Sequence, residues 1–582
     1  MKVTCTAEKP SVAKDIAKVI IGKYSINDGY YYGHSNLLDA DVRVTWTYGH
    51  LCTLKNPHDY NPKWKYWNYN DLPVIPSKFQ IKLIDNDGIK KQFNIIKSCY
   101  EWCDYIVNCG DAGQEGEVIQ RYVIQKSGVK KPVKRLWISS LTDESILKGF
   151  KNLQDSSKYD KLYEAGLSRA ICDWIVGMNA TRYYSIKNPN KGVLSVGRVQ
   201  TPTLAMIVER DNEIENFVPE IYNNIIIDYK KVQFSNTKKY TKEEAQKYLD
   251  AVKNDNFKIT KITQKESRES SPKLFDLTSL QVEMNKRYKY TAEFTLKTIQ
   301  SLYEKKFTTY PRVDTTYLPD DVYSECPDIL RSLIGYKEYT KEILDKTLKK
   351  SKKVFDSKKV TDHHAIIPTK NVPYNITEAE SNVYDAIVKR FISVFYDDMV
   401  SSVTTIEGTL DSSKEIYKAN GKSLISLGWY EVYNRKLEGK LLPDFKKDET
   451  GSCKKSIVEH TTTPPSQYTE ATLLRAMETS GKNLEDESLR ELMKENGIGR
   501  PSTRAAIIET LFKRNYIARD KNNLVATTKG IELINSIKNP VLKSPELTGQ
   551  WESRLRKIER SEDTGKSMID DTKNMINDLI TL

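Results

Sequence analysis

No two cysteines in this sequence stand two residues apart. The eight that occur are scattered, and Cys99, Cys103 and Cys109 have the wrong spacing for a zinc site. Free thiols in a reducing compartment are therefore expected, not a disulfide framework or a zinc module. Apolar runs of membrane-spanning length are also missing. The first residues, MKVTCTAEKPSVAKDIAKVI, carry charge too early and too often for a signal peptide. A soluble, cytoplasmic protein is expected. There is no internal repeat and no low-complexity tract. GKS occurs at Gly421 and at Gly565, but a P-loop needs glycine five residues earlier, where Ile416 and Arg560 stand. No ATP site is expected.

What is present points towards an anionic partner. The 582 residues suffice for about three or four domains. Charged residues make up 29% and the formal net charge is +13, a balance that favours nucleic acid, although many basic proteins have no such partner. The 35 tyrosines could stack on unpaired bases or simply serve packing. KTLKKSKK, Lys346 to Lys353, reads as a solvated loop.

The hydrophobic periods change along the chain. MKVTCTA reads as a strand and SVAKDIAKVI as an amphipathic helix, with Glu8, Lys9 and Pro10 at the turn between them. DYIVNCGDAGQEGEVIQRYVIQ, Asp104 to Gln125, is a second strand–turn–helix. Two such units predict an α/β domain with a mostly parallel sheet over residues 1–150. Ligands of such sheets bind beyond the carboxyl ends of the strands, where Glu8 and Asp111 both fall. Helical patterns dominate 151–215, alternating strands 216–278, helices 279–400, strands again 401–470 and helices 471–582. That order implies a chain that leaves two domains and returns to each.

Several constellations could carry chemistry. The turn after Cys109 mixes Gly110, Gly113 and Gly116 with Asp111, Glu115 and Glu117, so it suits a divalent cation or a phosphate cradle. Tyr310 is followed by Pro311, Arg312 and Asp314. A tyrosine hydroxyl, with a pKa of about 10, attacks phosphate only with help from a nearby cation or proton acceptor. The alternative is a Tyr-Pro turn with a surface ion pair. His363 and His364 are adjacent, so on an extended segment they face opposite ways and do not share a metal. Either could serve a phosphate, or both could be structural. In LSVGRVQTPTL and NGIGRPSTRAAII, an arginine (Arg198, Arg500) and small residues precede a helix start, which suits an ordinary cap or an anion site.

Taken together, these segments resemble the type IA DNA topoisomerases. TYPRVDT is similar to that family's active-site tyrosine segment. AEKPSVAKDIA, GDAGQEGE, LSVGRVQTPTL, DHHAIIPT, YTEATLLRAME and NGIGRPSTRAAII resemble its other motifs in the family's order, from about residue 3 to 555. EKPS, GHLCTLKNPHDYNPKWKYW and DHHAIIPT look most like the topoisomerase III branch. The resemblance implies a multidomain α/β plus α+β fold: a Toprim α/β domain, a β-rich hinge made of two segments, and helical domains, together forming a toroid.

It also implies an activity. Tyr310 would cleave one DNA strand by transesterification to a 5′-phosphotyrosine without ATP. Arg312 would hold the scissile phosphate, and Lys9 would stabilise the transition state or the leaving oxygen. Glu8 would shuttle a proton or neighbour the metal, and His363 would occupy the active-site histidine position. Gln300, Glu304, Thr309 and His364 match positions around the tyrosine. Arg169, Asp173, Arg198, Arg500 and Thr503 match positions that grip the DNA strand. The implied partners are single-stranded or negatively supercoiled DNA and a helicase, for a monomer without membrane attachment. The sequence departs from the family at the acidic turn, where Gly113 replaces a second aspartate and Gln114 an arginine. A single, weakly held Mg2+ is expected, with Asp111, Glu115 and Glu8 as ligands.

Overall fold

A computed structural model describes residues 1–582 except 139–140, 361–362, 437–438, 484–489, 491–496 and 582. Thr361 and Asp362 of the histidine motif therefore lie outside the described residues. Among the described residues, no helix is long and apolar enough to cross a membrane.

The amino-terminal unit is built on Lys2–Ala7, which lies between the parallel strands Ala40–Trp46 and Tyr105–Cys109. Val133–Arg135 adds a further parallel strand. Antiparallel strands border the sheet, Tyr30–Ser35 and Ser25–Asn27 on one side and Gln154–Asp155 on the other. The last of these lies beyond the expected boundary at 150. The sheet is covered on both faces, so its central strands are buried throughout rather than alternating. Val107 packs into a core with Val3, Cys5 and Ile16. Ile106 faces a larger core that continues through Ala165 and Ile175 into Leu473 and Trp551. The α/β unit and the helices at 160–215 and 470–581 thus share one apolar interior.

The second sheet is antiparallel, with its seven strands drawn from 221–269 and 399–461. Its two longest strands, Phe257–Glu269 and Met399–Leu410, are paired along their length and end at the pair Glu269 and Met399. The intervening helical block therefore leaves and rejoins the sheet at one point. This block has its own core, including Phe275, Leu302, Ile366 and Phe391. Polar contacts tie it to the helices at 470–581: Ala292 N donates to Glu470 (2.6 Å) and Arg504 to Thr278 (2.8 Å). The carboxy-terminal region is less purely helical than its periodicity predicts. Tyr468–Thr469, Asn523–Ala526 and Ile517–Asp520 form a small sheet whose two- to four-residue strands are too short to show an alternation.

Candidate active site

Strand register brings the first residues of the site together. Ala7 pairs with Cys109, so both chains leave the sheet at the same level. Glu8 and Lys9 then lie beside Gly110 and Asp111, and Asp111 N donates to Glu8 Oε2 (3.3 Å). Lys9 is the extended residue before the helix Pro10–Ile20, whose Val12, Ala13, Ile16 and Ala17 are buried. That anchored helix aims Lys9 at Asp111, where Nζ donates to Oδ2 (2.8 Å).

The helical block supplies the other half. Thr309 N donates to Ile367 O and Ile367 N to Thr309 Oγ1, each at 3.0 Å, so Tyr310 and His363 stand on neighbouring extended segments. Their rings are 4.4 Å apart. His363 Nε2 meets Asp111 Oδ2 at 3.0 Å, and the Lys9 ammonium lies 3.9 Å from the centre of the Tyr310 ring. Pro311, Val313 and Thr315 are buried while Arg312 and Asp314 are exposed, the alternation of an extended segment. His364 turns elsewhere: its Nδ1 lies 2.8 Å from Ala365 O, and burial lowers its pKa. Gln300 donates to Glu304 (3.0 Å) on the exposed side of the helix Ala292–Glu304.

Electrostatics link these groups. Burial opposes ionisation of Asp111, but His363 and Lys9 hold its carboxyl well below the usual range. Burial also works against the Lys9 ammonium, yet Asp111, Tyr310 and Glu8 raise its pKa. Glu8, buried and next to the Asp111 charge, is pushed up to about 7. Burial raises the Tyr310 phenol, and the charges of Lys9 and Arg312 act the other way. The arrangement can hold a proton near Glu8 and a positive charge beside the phenol.

The acidic turn divides its carboxylates. The helix Gln114–Ser127 starts at once, so Glu115 and Glu117 lie about 200° apart around it. Glu117 is buried and accepts from Arg135 Nε (2.9 Å) and Arg121 Nε (2.7 Å). Arg135, fully buried, also donates to Gly110 O (2.6 Å) and Asp111 O (2.7 Å), which fixes the turn from beneath. Breaking a buried pair of this kind costs about 3–5 kcal/mol. The sequence reading missed Arg135; its signal was a lone arginine ahead of the apolar LWI.

Glu115 faces the opposite way. It meets His50 (3.2 Å) and Arg500 (3.9 Å), and the His50 hydrogen bond, followed by Arg500, lowers its pKa to about 2. It lines a cleft of about 610 Å³ together with Gly113, Arg169, Asp173, Arg198, Arg500 and Thr503. Five of the residues expected to grip a strand thus share one cleft. Arg198 donates to Asp173 (3.0 Å) and Arg169 to Glu552 (2.8 Å). Gln114 reaches Glu559 (2.6 Å), an inter-domain contact that no local pattern signals. Glu495 and Asn496, just before the Arg500 motif, lie outside the described residues.

The expected Mg2+ ligands are therefore only partly assembled. Glu8 and Asp111 adjoin, but Asp111 is engaged by two basic side chains and Glu115 belongs to the cleft. Among the described residues, no three His, Cys, Asp or Glu side chains converge as a metal site. This arrangement fits a hard oxygen-liganded cation poorly.

Comparisons with known proteins cover the same ground. Residues 157–570 match a family described as DNA topoisomerase, and residues 3–141 match the Toprim domain. The chain is 36% identical over 604 residues to the DNA topoisomerase 3 of Bacillus cereus, covering 99% of this chain and 81% of that protein. It is 35% identical over 594 residues to the DNA topoisomerase 3 of Staphylococcus aureus, covering 100% of this chain and 82% of that one. Among solved structures, the full-length topoisomerase I from Thermotoga maritima superposes with a TM-score of 0.71 at 22% identity, over 99% of this chain and 90% of that one.

Proposed function

The chain belongs to the type IA DNA topoisomerases, in the topoisomerase III branch, and from that premise we propose which of its residues cleave, hold and reseal DNA. The observation that carries the proposal is the meeting of Tyr310 and His363 with Lys9 and Asp111 from a different domain. Tyr310 Oη attacks a phosphodiester of single-stranded DNA and the P–O3′ bond breaks. A 5′-phosphotyrosine and a free 3′-hydroxyl result. The phenol proton leaves towards the neighbouring acid–base groups, and the 3′ oxygen takes a proton with Glu8 as its shuttle. Arg312 neutralises charge on the phosphate through its two-pronged guanidinium. Lys9 stabilises the leaving oxygen, and His363 orients the phosphate. Attack by the 3′-hydroxyl reverses these steps, and no ATP is needed because the phosphotyrosine ester keeps the bond energy.

Between cleavage and resealing, the free 3′ end needs a non-covalent grip. Arg169, Asp173, Arg198, Arg500 and Thr503 in the cleft supply it. Gln300, Glu304 and Thr309 support the strand around Tyr310, and His364, turned away from it, steadies the segment that carries His363. Strand passage requires the helical block to swing away on the antiparallel sheet, as the hinge of a toroid. Among the described residues, its contacts with the α/β unit include polar pairs, which suit such opening. Ser11 Oγ lies 3.1 Å from the Tyr303 hydroxyl, Ser145 donates to Asp321 (3.0 Å), and Lys306 stands 3.7 Å from Asp15. A disulfide between Ser145→Cys and Asp321→Cys should allow cleavage but stop relaxation of negatively supercoiled plasmid without ATP, with recovery on reduction. Relaxation by the fully oxidised variant would overturn the gate.

The Toprim fold is a divalent-metal-binding fold, typically for Mg2+. In our reading Glu8, Asp111 and Glu115 would be its acids only once Asp111 gives up Lys9 and His363 and Glu115 gives up His50, and with Gly113 supplying no carboxylate they would hold one ion weakly. The ion would add positive charge near the reacting phosphate. Gly113 is extended, with φ −171°, so aspartate fits its backbone. Gly113→Asp should lower the Mg2+ concentration for half-maximal relaxation several-fold. An unchanged Mg2+ requirement would show that the missing carboxylate is immaterial. A Toprim primase or nuclease would leave Tyr310 without a role, a tyrosine recombinase would leave the acidic turn without one, and a non-enzymatic strand binder would need neither.

A further inference from the structure

The segment Asn61–Leu72, NPKWKYWNYNDL, takes no part in the cleavage site, yet it displays aromatic rings to water. Tyr66 is 74% exposed, Trp67 41% and Tyr69 39%. Lys63 and Lys65 are interleaved with these rings, and Asp71 is the segment's single acid. Trp67 and Tyr69 are held in place. The Asn61 side chain accepts from Lys63 N and that of Asn68 from Asn70 N, which caps the two short helical turns. Arg182 donates to Trp64 O (2.7 Å) and its guanidinium lies 5.6 Å from the centre of the Trp67 ring. The Tyr69 hydroxyl donates to Ile580 O (2.8 Å), and Lys187 Nζ lies 5.2 Å from the Tyr69 ring.

Exposed rings among ammonium groups match the chemistry of single-stranded nucleic acid, whose bases stack and whose phosphates pair with cations. One helix also links this surface to the cleft, with Val176, Ala180 and Tyr183 buried on the side between them. Arg182 and Lys187 lie on the second half of the helix Asp160–Lys187, whose first half carries Arg169 and Asp173. Lys187 follows Arg169 by five helical turns, so it lies on the same side of the helix about 27 Å further along. We propose that Tyr66 and Trp67, with Lys63, Lys65 and Lys187, form a second contact for single-stranded DNA, extending the strand path beyond the cleft. The proposal rests on the cleft's reading as a strand site, and oligonucleotide length separates the two.

The test is binding of oligothymidylates of about 8 and about 30 nucleotides to the full chain and to a Tyr66→Ala, Trp67→Ala double variant. The long strand should lose about tenfold or more in affinity in the variant, while the short one keeps its affinity, which also shows that the variant is folded. Trp67→Phe, which retains a ring, should restore most of the loss at that position. Unchanged affinity for the long strand would overturn the proposal and leave the surface to a protein partner. Equal losses on both lengths would overturn it as well. If the unaltered protein bound neither length, the cleft reading would fall too.

Discussion

Tyr310→Phe should remove relaxation and the covalent protein–DNA adduct together, by more than about a thousandfold, since a lost nucleophile leaves only binding and electrostatics. The substitution deletes one oxygen and keeps the ring. The ring's neighbours, His363 at 4.4 Å, Tyr303 at 5.3 Å and Lys9 at 3.9 Å, are ring contacts that phenylalanine can retain. Loss of activity with an unchanged melting temperature and unchanged oligonucleotide affinity therefore isolates the hydroxyl. A Phe variant that still relaxed supercoiled plasmid would sink the mechanism. Because burial raises the phenol's pKa, Tyr310 is protonated at rest, and the cations around it must act at the moment of attack.

The second large effect belongs to Lys9. Its ammonium touches Asp111, lies over the Tyr310 ring and stands 3.8 Å from Glu8, so it joins every part of the site. Lys9→Ala should slow single-turnover cleavage of a single-stranded oligonucleotide by about 100- to 1,000-fold, the loss typical of one preorganised group facing developing charge. Strand affinity should change by no more than a few-fold, because the cleft arginines are untouched. Lys9→Arg keeps the charge but not the compact ammonium and should recover part of the rate. If Lys9→Ala weakened binding and left bound-state cleavage at the normal rate, Lys9 would be a strand-holding residue instead.

Much of this was legible from residue order. The strand–turn–helix units after MKVTCTA and at Asp104 to Gln125 follow from local periods, and both occur in the fold. The interleaving of helical and strand-rich stretches foretold a chain that returns to its second sheet, where Phe257–Glu269 pairs with Met399–Leu410. The motifs in family order foretold the family itself. The small sheet near residue 520 was not legible, because its strands are shorter than one clear alternation. The roles of the acids were not legible either. Asp111, Glu115 and Glu117 read as one cluster, yet a helix beginning at Gln114 sends Glu115 to the cleft and Glu117 to the buried Arg135.

The sequence by itself determined the elements and the reactive residue types, because turns, caps and periods act over a few neighbouring residues. Only the tertiary structure decided which charges face one another. Asp111 meets His363 across 252 positions and Gln114 meets Glu559 across 445. Such pairings are set by parallel register and by the packing of separate cores, and electrostatic interaction depends on distance in space, not on separation along the chain.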